Sequence, residues 1–176
     1  MKLGRMAAVG AMSAIVAGAL VAPAAAETTV IDASLATALS MTTAPAANVS
    51  GWNLAATGAN STSGGSLAVN ANVPYTVTMS AQKTTLTEYV TATSAYEATA
   101  PKSLGSPLTV TPTSTGGTGV AAAATSATGG VVVTGIGGGT DSFTLSLSQP
   151  TTIADDPLTT GRTYHNVLTY TLASTL

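Results

Sequence analysis

His165 is the only histidine in the chain, and with Asp155, Asp156 and abundant serines it supplies the residue types of a hydrolase triad. A triad also needs a serine on an exposed, sharply turned elbow, and no Gly-x-Ser-x-Gly segment occurs. His165 therefore reads as a partly exposed strand histidine, and the chain as no enzyme. A second chemistry rests on oxygen donors. Gly135-Ile-Gly137-Gly-Gly139-Thr-Asp141 has the outline of one calcium-binding Gly-Gly-x-Gly-x-Asp unit, in a single copy where such sites stack several. Asp141, Asp155 and Asp156 would form a calcium site only if loops gathered them, because Ca²⁺ takes six to eight oxygens. Otherwise they are aspartates in turns, and no cofactor is expected. A third chemistry is aromatic. Trp52 with Asn53 or Asn60 has the makings of a sugar-stacking platform, although with 4% aromatic residues the core has first claim on the ring. Asn48-Val-Ser50 and Asn60-Ser-Thr62 fit the N-glycosylation triplet and are expected in loops either side of a short strand.

The surrounding composition limits these options. Charged residues are 7% of the chain, where a soluble domain carries roughly 25%. Lys2-Leu-Gly-Arg5, an apolar run over 6–21 and Ala24-Ala25-Ala26 read as a cleaved secretory leader. The run of about 16 residues is shorter than the roughly 20 that span a bilayer, and no second such run follows. The expected organisation is a signal peptide over 1–26 and one domain over 27–176, secreted or at the cell surface. In that domain Lys83, Lys102 and Arg162 face Glu27, Asp32, Glu88, Glu97, Asp141, Asp155 and Asp156, three basic against seven acidic residues and a net charge of −4. No basic patch exists to neutralise phosphates, so nucleic acid and anionic lipid are excluded as partners. With no cysteine there is no disulfide clamp, and stability must come from packing or assembly.

The elements that would position these residues have a period of two. Leu67, Val69, Ala71, Val73, Tyr75, Val77 and Met79 alternate with mainly polar residues, with Pro74 marking a bend or edge and Gly64-Gly65 a turn into the run. Phe143, Leu145 and Leu147 alternate with Ser and Thr, as do Leu168, Tyr170 and Leu172. Ile31, Ala33, Leu35, Leu39 and Met41 alternate across 32–42, and shorter candidates cover 51–55, 86–91, 108–113 and 131–136. A turn of helix is expected over 120–124, and long mobile loops over 114–119 and 127–139. The expected fold is all-β, a single antiparallel sandwich of seven to nine strands, immunoglobulin-like or jelly-roll-like.

Leu158-x-x-Gly161-x-x-Tyr164 before the last strand resembles the tyrosine corner of immunoglobulin-like sandwiches, with Thr160 where proline is usual. That resemblance implies a Tyr164 hydroxyl tied to backbone a few residues upstream. Gly161-x-x-Tyr164-x-Asn166 and the alternation to Leu172 resemble the closing strand of spore-coat-U-type and chaperone–usher-like secreted subunits, with Asn166 for aspartate and without their cysteines. Trp52-Asn-Leu54 before a glycine-rich turn resembles surface sandwiches of the WxL type. These resemblances imply a sandwich architecture and an exterior location.

The expected function is a non-catalytic structural or adhesive surface protein. Its partners would be copies of itself, other surface proteins or polysaccharide. The alternating segment Ile31, Ala33, Leu35, Leu39, Met41 lies either in its own sheet or, as a donated strand, in a neighbour's. The alternative function is a secreted carbohydrate-binding module built on Trp52 and Asn53.

Overall fold

The alternation from Leu67 to Met79 does not make one strand. The computed structural model, which describes residues 33–176, divides it at Asn72-Val73-Pro74 into β2 (Gly58–Ala71) and β3 (Tyr75–Ala81), which belong to different sheets. Pro74 has no amide hydrogen for a ladder and sits at the corner. Ala71 and Tyr75 are an even number of steps apart, so the inward parity survives the turn. Leu67, Val69, Ala71, Tyr75, Val77 and Met79 are all at most 2% exposed and meet in one interior.

The sheet carrying β2 has five antiparallel strands. Their order is β1 (Leu39–Thr43), β2, β10 (Gly139–Thr151), β6 (Thr109–Gly116) and β8 (Ala124–Thr125). The sheet carrying β3 has four, in the order β12 (Leu168–Ser174), β3, β9 (Gly130–Gly135) and β7 (Val120–Ala121). Phe143, Leu145 and Leu147 of β10 and Val132 and Val133 of β9 complete the core between the layers. A third sheet orders β11 (Arg162–His165), β4 (Thr87–Val90) and β5 (Ala95–Tyr96). The described chain is thus an all-β antiparallel sandwich with a small added sheet. It has twelve strands; nine remain when the two-residue strands β5, β7 and β8 are set aside.

Several local expectations are corrected. Gly64-Gly65 is not a turn but a bulge inside β2, where the register with β10 slips between Leu145 and Ser146. A Cβ on Gly65, whose φ is +86°, would lie 2.7 Å from the Ala46 nitrogen. Residues 120–124 form no helical turn, because Val120 and Ala121 pair with Thr134 and Val133 of β9, and Ala124 pairs with Val110 of β6. Residues 51–55 have no strand partner. Strand β1 covers only the C-terminal part of 32–42.

The expected loops over 114–119 and 127–139 are also largely held. Asp141, almost fully buried, accepts the Tyr75 hydroxyl at 2.6 Å and the amides of Thr118 and Gly119 at 2.6 and 2.9 Å. Burial, then the hydrogen bond and charge of Asp141, push the Tyr75 hydroxyl well above the ordinary tyrosine range. Glycine is needed around this pair. A Cβ on Gly117 would stand 2.1 Å from the Asp141 carboxylate, and one on Gly135 2.2 Å from the Tyr75 ring.

Among the described residues the exposed and half-buried charges gather at one end. Apart from the buried Asp141, every charged side chain among the described residues falls within 83–102 or 155–162. The outward face of the five-stranded sheet is hydroxyl-bearing instead, with rows such as Ser61, Ser148, Thr109 and Thr125 in register.

Candidate functional site

The lower half of β2, from Gly58 to the bulge, has no regular strand on its outer side. Strand β1 ends at Thr43, and the chain continues past Ala46, whose amide donates to the Gly64 carbonyl at 3.0 Å, into residues 47–54. No backbone group of 47–54 is hydrogen-bonded among the described residues. Gly51, at φ +69°, redirects this segment, and Trp52 and Leu54 are half-buried against the body while Asn53 is exposed. Beside it opens a groove of about 970 Å³. Leu104, Leu108 and Leu147 contribute its apolar floor, and Leu168 and Tyr170 of the edge strand β12 also line it. Tyr170 is half-buried, and desolvation pushes its hydroxyl up to about 12.

The C-terminal segment that lines the groove is fixed at three points. Gly161 turns the chain at φ +81°, and its carbonyl accepts both the amide and the hydroxyl of Thr91, at 3.1 and 2.7 Å. The Tyr164 hydroxyl donates to the Asp156 carbonyl at 2.6 Å, a tie to upstream backbone. Asn166 accepts the Lys83 amide at 3.0 Å and donates to the Lys83 carbonyl at 2.7 Å, joining the start of β12 to the end of β3. Within the small sheet the Arg162 guanidinium bridges Glu88 and Glu97. The Lys102 amide, then Arg162, hold the Glu88 carboxyl below its usual value. The Thr99 amide, then Arg162, do the same for Glu97.

His165, Asp155 and Asp156 do line the same groove, yet each has a structural engagement. The His165 ring stacks on Tyr89 with centroids 4.3 Å apart. Asp155 accepts the Gly105 and Thr152 amides, both at 2.7 Å, which hold its carboxyl below the usual range, Thr152 first. Asp156 pairs with Lys102 at 3.6 Å. Among the described residues no hydrogen bond joins His165 to a carboxylate, so no triad is assembled.

The proposed calcium ligands are divided between the two ends of the sandwich. Asp141 begins β10 and Asp155 follows its far end, a separation of at least ~30 Å at the rise of a strand. No group of three His, Cys, Asp or Glu side chains with metal-site proximity occurs among the described residues. Asn60 is likewise withdrawn from both the sugar platform and glycosylation. It lies within β2, accepts the Ala55 amide at 2.7 Å and donates to Thr151 at 3.0 Å and to the Gln149 carbonyl at 3.2 Å. Asn48 is exposed in the 47–54 segment.

Of the proposed assembly residues, Leu39 and Met41 lie half-buried in β1, paired with β2 of their own chain opposite Ala71 and Val69. Ala33 and Leu35 are exposed, Leu35 at 87%, and Ile31 lies outside the described residues. Asn72 was not singled out by sequence reasoning. Its side chain accepts the Ala38 amide at 2.7 Å and donates to the Ala36 carbonyl at 2.8 Å, anchoring the chain just before β1. Its position beside the Pro74 corner was the available signal.

No protein-family model matches the chain, and no curated protein or solved structure is significantly similar to it.

Proposed function

We propose that this chain is an exported, non-catalytic building unit of a cell surface or extracellular matrix, with its leader removed after Ala26. In this reading it associates with copies of itself by adding strand to sheet. The observation that carries the reading is the contrast at the N-terminal side of the fold. Leu39 and Met41 are held in the sheet, while Leu35, in phase with them, is 87% exposed and has no cover among the described residues. An alternating apolar segment left outside its own core stabilises whatever sheet edge it joins, through backbone hydrogen bonds and burial of every second side chain. The charge-free hydroxyl face remains towards solvent. Negative-stain microscopy of residues 27–176, with a gel of unboiled sample, tests this. Filaments and a ladder are expected, and a strictly monomeric protein would sink the reading.

A second reading is favoured by one specific observation: Trp52 lines an open groove together with Tyr164 and Tyr170. Such a groove, with exposed Asn53 beside it, suits a polysaccharide chain. A shift of Trp52 emission on adding soluble glycan would support it.

A further inference from the structure

We infer that the groove beside Trp52 is the acceptor for the N-terminal segment of a second copy, with residues 28–35 entering as a strand between residues 51–55 and β12. The inference rests on the assembly reading above and adds the place where assembly occurs. Three features meet there. Residues 51–55 alternate like a strand yet pair with no strand among the described residues, the backbone of 51–54 makes no hydrogen bond there, and β12 pairs on one side only. Between them lies a cavity of about 970 Å³ that half-buried Trp52, Leu54, Leu168 and Tyr170 only partly close. An inserted strand would satisfy idle backbone groups and seat Ile31, Ala33 and Leu35 on the apolar floor.

Geometry selects a second copy over the chain's own segment. Asn72 anchors Ala36 and Ala38 at the corner where β2 ends. The groove begins near Gly64, eight positions back along β2, or about 26 Å at strand rise. Residues 27–35 extend to only about 30 Å, so reversing to reach their own groove would leave almost nothing to occupy it. The anchored residues Ala36 and Ala38 and the groove are different surfaces of the body, so the contact is heterologous and head-to-tail, and it builds a filament where the rotation between copies does not close a ring.

The chain has no cysteine, so introduced pairs report contacts directly. Ala33→Cys in one preparation of residues 27–176, mixed with Asn53→Cys in another under mild oxidation, is expected to give a crosslinked dimer. Ala33→Cys with Thr134→Cys, on β9, is expected to give none. Leu35→Asp should lower the crosslinked fraction at least tenfold with unchanged thermal unfolding, because Leu35 makes no core contact. Filaments without the Ala33–Asn53 crosslink would leave the assembly reading standing and overturn this acceptor. Neither filaments nor crosslink would remove both. A crosslink formed within one chain carrying both cysteines, or Trp52 emission that responds to soluble glycan while no crosslink forms, would also overturn it.

Discussion

At the corner end of the sandwich the loops are bound inward, while at the groove end a segment of similar length is left with idle backbone. The first end has Asp141 at its centre, one carboxylate receiving a hydroxyl from β3 and two adjacent amides from the loop at 118–119. The second has Trp52 and Leu54 leaning on the body with no ladder beside them. Both ends are rich in glycine. At the corner, glycine lets backbone approach a buried polar pair; at the groove, Gly51 has nothing within 4 Å of where its Cβ would sit. Glycine content alone therefore does not report looseness, and the buried acceptor decides which loop is ordered.

The ordered corner depends most on Asp141. Asp141→Ala leaves the Tyr75 hydroxyl and two amides without an acceptor, and should cost about 3 kcal/mol or more of stability. In a domain of this size that is a fall in Tm of roughly 10 °C, read by calorimetry. A loss below about 1 kcal/mol would mean that water substitutes for the carboxylate.

A pH titration separates the ends next. The hydroxyls of Tyr75 and Tyr170 are raised in the folded protein, so their stabilisation is complete below the unfolded tyrosine value of about 10 and is lost as pH rises above it. Alkaline unfolding should therefore begin near pH 10 in a denaturant series. On the acid side Glu88, Glu97 and Asp155 are depressed. Their contribution is present at neutral pH and lost as pH falls through the ordinary carboxylate range toward their folded values. Amide exchange should then quicken first in β4, β5 and β11, ahead of the corner.

Tyr164→Phe removes one hydrogen bond to the Asp156 carbonyl and is expected to cost about 1 kcal/mol in chemical denaturation. The smallest effect belongs to Asn53→Ala, at an exposed side chain with no hydrogen bond among the described residues. It should stay within about 0.5 kcal/mol in the same assay, so any large change in assembly there reports the groove and not the fold.

The sandwich was legible where one face of a strand is wholly apolar. Phe143, Leu145 and Leu147, and Leu168, Tyr170 and Leu172, alternate without interruption and form β10 and β12. Pro74 was legible as a bend or edge, but the change of sheet there was hidden because the alternation keeps its phase across it. Strands β7 and β8 were hidden because Val120–Ala121 and Ala124–Thr125 are ordered by distant partners and carry little pattern of their own. The bulge at Gly64-Gly65 looks like a turn until the ladder with β10 is known. In the groove, Trp52 and Asn53 were visible as residue types. What sequence could not supply was that residues 51–55 and β12 would end up lining one space. Nor could it show that Asp141 would be held ~30 Å from Asp155 by the length of β10.

The crowding of ionised groups at one pole has a consequence for any linear array of these units. Like poles would recur once per sandwich length, about 40 Å, several times the Debye length of about 8 Å at physiological ionic strength. At that ionic strength one charged pole does not feel the next along the array. At about 10 mM salt the Debye length reaches about 30 Å, so a fibre of this kind would feel its recurring poles in fresh water and cease to feel them in brine.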